Sequence, residues 1–442
     1  MDTMMDISEV NSWVDATRLS SQLRLRQVPF EECRQWHFSE GRFCHETGAF
    51  FSITGVHFPQ AATGTAPTPS IMIDQPEVGW LAFFIRPSKT GIQWLVQAKT
   101  EPGNIRQTHL APTIQATRSN YQRVHGGRPT LFLETLKNAP GFVSDAPHSE
   151  QGTRFVWKFN RNSVAAFPDT FDPDLSQHPQ WQWVSSATLR EALGKDYFTN
   201  TDARSVVSTA PWALLASNAP LFKAPALAKS YATKHNRKLQ LLDQLLHPKP
   251  RKTKLFWERA NLDAYRDRDG LTLKDATGKD VVACYETNVN HREVPNWCQP
   301  FLLAPQQTDH ALLMRVQESS AEVFVRVFDE PGFGTRREFG PSVHSSFDLP
   351  ELMQNWLSEG NCSDLVRIQQ SDEGGRFMQA NASYRVALVK NTPDRVQYPF
   401  GRWVSLATLE QLVAQPGKTT NELRTLVSLV LSEAFDRACQ AL

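Results

Sequence analysis

The stretch IQWLVQAKTEPG, residues 92–103, returns as AEVFVRVFDEPG, residues 321–332, at an offset of 321 − 92 = 229. Both are apolar runs of strand length, rich in β-branched and aromatic residues, that end in an acid followed by Pro-Gly. At the same offset LAPT (110–113) meets FGPS (339–342). WVSSATLREAL, from Trp183, is answered by WVSLATLEQLV, from Trp403, at 403 − 183 = 220. Upstream, Gln75-Pro76 is matched to Gln299-Pro300. One Pro-Gly turn carries little information, because such turns are common. Four matched blocks in one order mean duplication.

The runs WLAFFIR, WLVQAK, ALLMRV and EVFVRVF predict strands. SSATLREAL and TDARSVVSTAPWALL, then SLATLEQLV and TNELRTLVSLVLSEAF, predict the helices that close each module. Thr199 with Asp202, and Thr419 with Glu422, read as N-cap hydroxyls three residues before a carboxylate. KSYATKHNRKLQLLDQLLH reads as one amphipathic helix ended by Pro248. The expected class is α+β, two tandem modules related by internal duplication. Their expected bounds are 1–225, a linking helix at 226–249, and 250–442.

At 442 residues, 40% hydrophobic and 21% charged, the chain suits two globular units. A formal charge of +1 supplies no field toward nucleic acid or an anionic membrane, and neither partner is expected. No apolar run approaches the roughly 18 residues of a spanning helix. The N-terminus lacks a secretory pattern, and the six cysteines are scattered without a C-x-x-C pair. The reading is a cytoplasmic protein with neither a disulfide framework nor a metal site.

QAKTEPGN (97–104), APTIQATRSNY (111–121) and HGG (125–127), with GAFFSITGV (48–56) and DQPEVGWLAF (74–83), resemble the signature of the NDP-hexose 2,3-dehydratases of deoxysugar and natural-product biosynthesis. Ala111, where serine is common, and His109 depart from that pattern. The resemblance implies two Nudix-like modules, a homodimer, and dTDP-4-keto-6-deoxyglucose as substrate. It also implies a dTDP-3,4-diketo-2,6-dideoxy sugar as product, passed to an NADPH-dependent 3-ketoreductase, and no cofactor. The Nudix box itself is missing: its nearest fragment, RREFG at 336–340, holds one carboxylate. A metal-dependent nucleotide-sugar hydrolase and a non-catalytic nucleotide-sugar-binding protein are the alternatives.

Elimination beside a ketone needs a base, an acid for the leaving oxygen, donors to the enolate and cations for the diphosphate. His125 suits proton transfer or caps the Gly126-Gly127 turn. Tyr121 is a donor or a core aromatic. Glu101 is a base if desolvated, or merely holds a turn. Arg118 has the fork for phosphate oxygens or forms a surface pair. Lys99, Asn104, Thr113, Gln115, Thr117, Ser119, Asn120 and Gln75 are the remaining candidates for substrate contact. Trp80, Trp94 and Trp297 could stack on thymine or fill the core. At the offset of 229, Glu330 stands for Glu101, Ser342 for Thr113 and His344 for Gln115, while Phe347 and Pro350 replace Arg118 and Tyr121. With Trp297, Gln299 and Arg336 these residues outline a second pocket. It is expected to be a relic, with catalysis in the first.

Overall fold

The structure is a computed structural model. It describes residues 4–57, 71–124, 126–217, 219–233, 236–246, 258–267, 270–275, 278–304, 306–334, 336–392 and 398–442. In the first half a sheet runs in the order Gly141–Ser149, Phe159–Ala166, Gly79–Ser88, Gly91–Thr100 and Trp181–Ser185. In the second half Cys362–Ser371, Asn381–Val389, Thr308–Gln317, Ser320–Phe328 and Gly401–Val404 pair in the same way. All the runs predicted as strands are strands.

Strand register establishes the duplication residue by residue. Phe84 faces Leu95 as Leu313 faces Phe324, and Gln97 faces Ala111 as Arg326 faces Gly340, all at an offset of 229. Asn160 faces Gly79 as Ala382 faces Thr308, so the offset there is 382 − 160 = 222. Trp183 faces Leu95 as Trp403 faces Phe324, at 220. The two tryptophans also share an environment. The Arg86 guanidinium lies 4.2 Å from the Trp183 ring and that of Arg315 lies 4.6 Å from Trp403, a contact that stabilises by about 0.5–2 kcal/mol. One match fails: Ile73 faces Phe155 as Leu302 faces Phe377, so Gln75 corresponds to Ala304. Gln299-Pro300 lies inside a strand and owes its likeness to composition alone.

The halves exchange strands. Arg24–Val28 pairs with Asp280–Asn288, and Glu258–Ala260 pairs with Ser52–His57. Arg26 opposes Glu286 as Glu258 opposes His57, and 286 − 57 = 229 makes the exchange reciprocal. The same symmetry sets Phe30 N–H on Gly270 O and Leu262 N–H on Gly41 O, each at 3.0 Å. One core follows, joining Val28, Phe30, Trp36, Phe43 and Ile53 to Val282, Leu302 and Phe377. Burial of several aromatic and branched side chains, each stabilising by about 1.5–3 kcal/mol, rests on both halves at once.

The helices Thr201–Thr209 and Asn421–Val430 meet at the centre, where Arg424 Nε donates to Ser205 Oγ at 2.8 Å and Arg204 Nε to Thr425 Oγ1 at 3.4 Å. Their caps fall one residue later than expected: Asn200 accepts from Ala203 N–H and Thr420 from Leu423 N–H. Glu422 therefore stands at the second helical position, too early to close a capping box, and its carboxylate is free to turn inward. The expected linking helix is two, Pro225–Ala232 and Asn236–Leu246, with Thr233 ending the first in an extended conformation. No helix among the described residues is long and apolar enough to cross a membrane.

Candidate functional site

Each Glu-Pro-Gly loop docks on a turn of the opposite half. Gly103 N–H donates to Gly374 O at 2.8 Å, and Gly332 N–H to Gly152 O at 2.6 Å, where 374 − 152 = 222. A Cβ on Gly103 would stand 1.7 Å from Phe377 O, and one on Gly332 1.8 Å from Phe155 O. Glycine is required at both loops because backbone meets backbone. Each acid therefore sits at a junction of the two halves.

At the first junction Glu101 is buried and fully partnered. Asn104 Nδ2 (3.1 Å) and Asn200 Nδ2 (3.2 Å) donate to one oxygen, Gln115 Nε2 (2.8 Å) to the other. Burial pushes its pKa up, but Lys99, Arg292 and the Asn200 and Gln115 donors outweigh this and hold it below the usual range. Such a carboxylate is an anchoring anion and a poor base. Lys99 donates to Gln115 O at 3.0 Å, and burial lowers its pKa. Burial, aided by Glu150, Glu373 and Glu101, holds Asp202 well above the carboxylate range. His109 is buried with neither ring nitrogen partnered among the described residues, and desolvation takes it down to about 3.

Arg118 and Tyr121 line a cavity of about 630 Å³ with Phe50, Pro76, Glu77 and Gln122. Glu77 fixes its wall by accepting from Ser119 N–H (2.7 Å), Ser119 Oγ (3.0 Å) and Gln75 Nε2 (2.9 Å). Thr117 precedes the Arg118–Tyr121 turn without a capping side-chain hydrogen bond, and its Oγ1 bonds Ser119 Oγ at 3.0 Å. Arg118 is exposed, Asn120 and Tyr121 half-buried. His125 lies outside the described residues.

Several expected contact residues are committed elsewhere. Thr113 Oγ1 accepts from Phe84 N–H at 2.9 Å and donates to Leu95 O, and Ser342 does the same for Leu313 and Phe324. They are strand staples. Trp80 donates to Ser163 at 2.8 Å and carries Arg161 on its ring at 3.9 Å, so its N–H and one face are already engaged. Trp94 is core, bonded to Ser186 at 2.9 Å. Trp297 donates to Gln299 at 3.0 Å, and Gln299 to Gly375 O at 2.7 Å. That turn faces Glu101, so Trp297 and Gln299 border the first junction and not the second pocket.

The second junction is not empty of chemistry. Ligand atoms of buried Glu330, His344 and Glu422 lie within 4.8 Å of one another, the one grouping of metal-ligand type among the described residues. Ser346 N–H donates to His344 Nδ1 at 3.2 Å, which leaves the ring proton on Nε2, 3.7 Å from Glu422. That separation is longer than a hydrogen bond, and His344 Nε2, Glu330 Oε1 and Glu422 Oε2 are buried without a hydrogen-bond partner among the described residues. Glu330 accepts from Gly152 N–H at 2.6 Å, and burial holds it well above the usual range. Glu338, with Arg336 at 3.4 Å, is pushed up to about 7 by burial.

Sequence reasoning missed Glu77, Lys158, Asn200 and Glu373 as site residues. The equivalence of Asn200 with Thr420 in the repeat and the place of Glu77 inside DQPEVGWLAF (74–83) were signals, whereas Lys158 and Glu373 meet the motif through folding alone.

A family model described as NDP-hexose 2,3-dehydratase matches residues 7–210 and 244–430. The dTDP-4-dehydro-6-deoxy-alpha-D-glucopyranose 2,3-dehydratase of Amycolatopsis orientalis is 28% identical, with 97% of this chain and 91% of that protein covered. Proteins of the same name from Saccharopolyspora spinosa and Streptomyces violaceoruber are each 27% identical over 96% of this chain, covering 91% and 97% of their own lengths. A solved ADP compounds hydrolase aligns over 34% of this chain and 84% of its own with a TM-score of 0.23 and 9% identity, too slight a likeness to bear on function.

Proposed function

The chain belongs to the NDP-hexose 2,3-dehydratase family, and on that premise we propose that this hydro-lyase eliminates water across C2 and C3 of dTDP-4-keto-6-deoxyglucose. The C3 hydrogen is acidic because the C4 ketone delocalises the carbanion. A base removes it, donors steady the enolate oxygen, and the C2 hydroxyl leaves with a proton. The resulting enol tautomerises to the dTDP-3,4-diketo-2,6-dideoxy sugar. Oxidation at C3 balances reduction at C2, so the equation closes without a redox cofactor.

One observation carries the placement in the first half: Arg118 and Tyr121 share a cavity whose wall Glu77 fixes by three hydrogen bonds. Phe347 and Pro350 hold the equivalent positions in the second half. Arg118 takes the diphosphate, Tyr121 donates to the ketone or leaving oxygen, and His125 carries protons. Glu101 orients Asn104, Gln115 and Asn200. The same reading includes a homodimer and a following NADPH-dependent 3-ketoreduction.

Incubation with dTDP-4-keto-6-deoxyglucose, a 3-ketoreductase and NADPH tests it. The expected product keeps dTDP and lacks the 2-hydroxyl, and deuterium at C3 slows its formation. Release of dTMP, or a sugar still bearing its 2-hydroxyl, defeats the reading.

A further inference from the structure

Glu373 belongs to the second half but is set by the first. It opens the turn whose Gly374 carbonyl receives Gly103 N–H, and its own carbonyl accepts from Arg376 N–H at 3.1 Å and Phe377 N–H at 2.9 Å. The backbone is thus held at both ends. A Cβ on Gly375 would lie 3.5 Å from Glu373 Oε1 and 3.9 Å from Glu101 Oε1, so the two carboxylates flank the same small turn. Their surroundings differ. Glu101 is sealed and accepts three amide donors, whereas Glu373 is partly exposed and accepts none among the described residues.

Lys158 connects this carboxylate to the cavity. Its ammonium donates to Glu77 O at 2.5 Å, on the wall that carries Arg118 and Tyr121, and it acts electrostatically on Glu373. Arg376 lies 4.4 Å over the Phe51 ring, next to Phe50 of the cavity lining. The repeat supplies an internal contrast. At the offset of 222, Gln151 stands for Glu373 and Ala380 for Lys158, so the second junction has neither the carboxylate nor the cation. Gln151 cannot accept a proton from carbon at neutral pH.

We propose that Glu373, contributed by the second half, is the general base that removes the C3 proton of the sugar bound in the first half. This rests on the dehydration proposed above. The carboxylate takes the proton as the C3–H pair moves toward C4, and the C2–O bond breaks with proton delivery to the leaving hydroxyl. Glu373 then returns its proton to solvent or to the product enol. Arg376 and Lys158 act on Glu373 only through their charge, and a carboxylate that accepts no hydrogen bond among the described residues is free to approach carbon, which Glu101 is not. Burial pushes Glu373 up to about 7, where a carboxylate is basic enough for this step and partly ionised at neutral pH.

The test follows C3 exchange in deuterated water and trapped product for wild type, Glu373→Gln and Glu373→Asp. Binding of dTDP and melting temperature serve as controls. Wild type is expected to exchange and dehydrate, with an acid limb in kcat/KM near 7. Glu373→Gln is expected to lose both reactions by about 10²–10⁴-fold while dTDP affinity stays within about twofold. Glu373→Asp is expected to keep partial turnover with the limb moved to lower pH. Exchange by Glu373→Gln within tenfold of wild type overturns the assignment. If that variant does not fold, an unmoved limb in Glu373→Asp overturns it instead. Failure of wild type to dehydrate at all refutes the proposed reaction, a result distinct from either.

Discussion

The amide of Gly103 donates to the carbonyl of Gly374 at 2.8 Å, and with Gln379 N–H on Gly103 O at 2.8 Å it seats the acid loop of the first half on a turn of the second. A methyl at Gly103 would meet Phe377 O at 1.7 Å. Gly103→Ala is therefore expected to cost about 3 kcal/mol or more and to depress turnover by moving the turn. Gly332→Ala, against Phe155 O, carries a comparable stability cost. Gly141, where an added methyl would have nothing within 4 Å, should accept alanine almost neutrally. Urea denaturation of the three variants checks this ranking.

Arg118 and Tyr121 line the cavity, and among the described residues neither side chain makes a buried hydrogen bond that its loss would orphan. Arg118→Ala and Tyr121→Phe should each lower kcat/KM by about 10²-fold or more with the melting temperature unchanged. Arg118→Ala should also weaken dTDP binding, measured by calorimetry. Wild-type turnover in either variant would remove that residue from the site.

Thr113 and Ser342 perform the same stapling task in the two halves. Thr113→Val and Ser342→Ala each leave a strand amide unpaired and should cost about 1–3 kcal/mol. KM should hold steady in both. A raised KM in Thr113→Val with stability intact would make it a substrate contact after all.

Two buried groups set opposite pH limbs. His109, taken from 6.5 to about 3, binds its proton more weakly folded than unfolded. Its contribution is complete above pH 6.5 and lost as pH falls toward 3. Glu338, raised from 4.5 to about 7, holds its proton more tightly folded. Its contribution is complete below pH 4.5 and lost as pH rises through 7, on the order of 3 kcal/mol. His109→Phe should flatten the acid side of the stability profile, and Glu338→Gln the alkaline side. Denaturant midpoints between pH 4 and 8 read both slopes.

The duplication was legible because strand repeats such as those ending at Gly103 and Gly332 preserve pattern at fixed spacing. The polar loop from Glu101 to Tyr121 stood out as a candidate through its density of hydrogen-bonding side chains and the family signature it carries, and its Arg118 and Tyr121 line the cavity. What spacing conceals is pairing. Nothing in the run around Arg26 says that its partner is Glu286 and not a neighbour in its own half, since edge strands carry no address. Glu373 was invisible on similar grounds, being brought to Glu101 by the docking of Gly103 on Gly374. Thr113 and Trp80 are engaged within the protein because hydrogen-bonding and aromatic side chains serve packing as readily as recognition.

Because Arg24–Val28 and Glu258–Ala260 are each lent to the other half's sheet, a chain cut between the halves would yield two pieces with one bare sheet edge apiece. Each piece would carry the strand that heals its sibling. Mixed together they should recombine into an active heterodimer, while either alone should self-associate through the exposed edge. The seam joining the copies is thus a reciprocal clasp, and the covalent tether only keeps its two hands within reach.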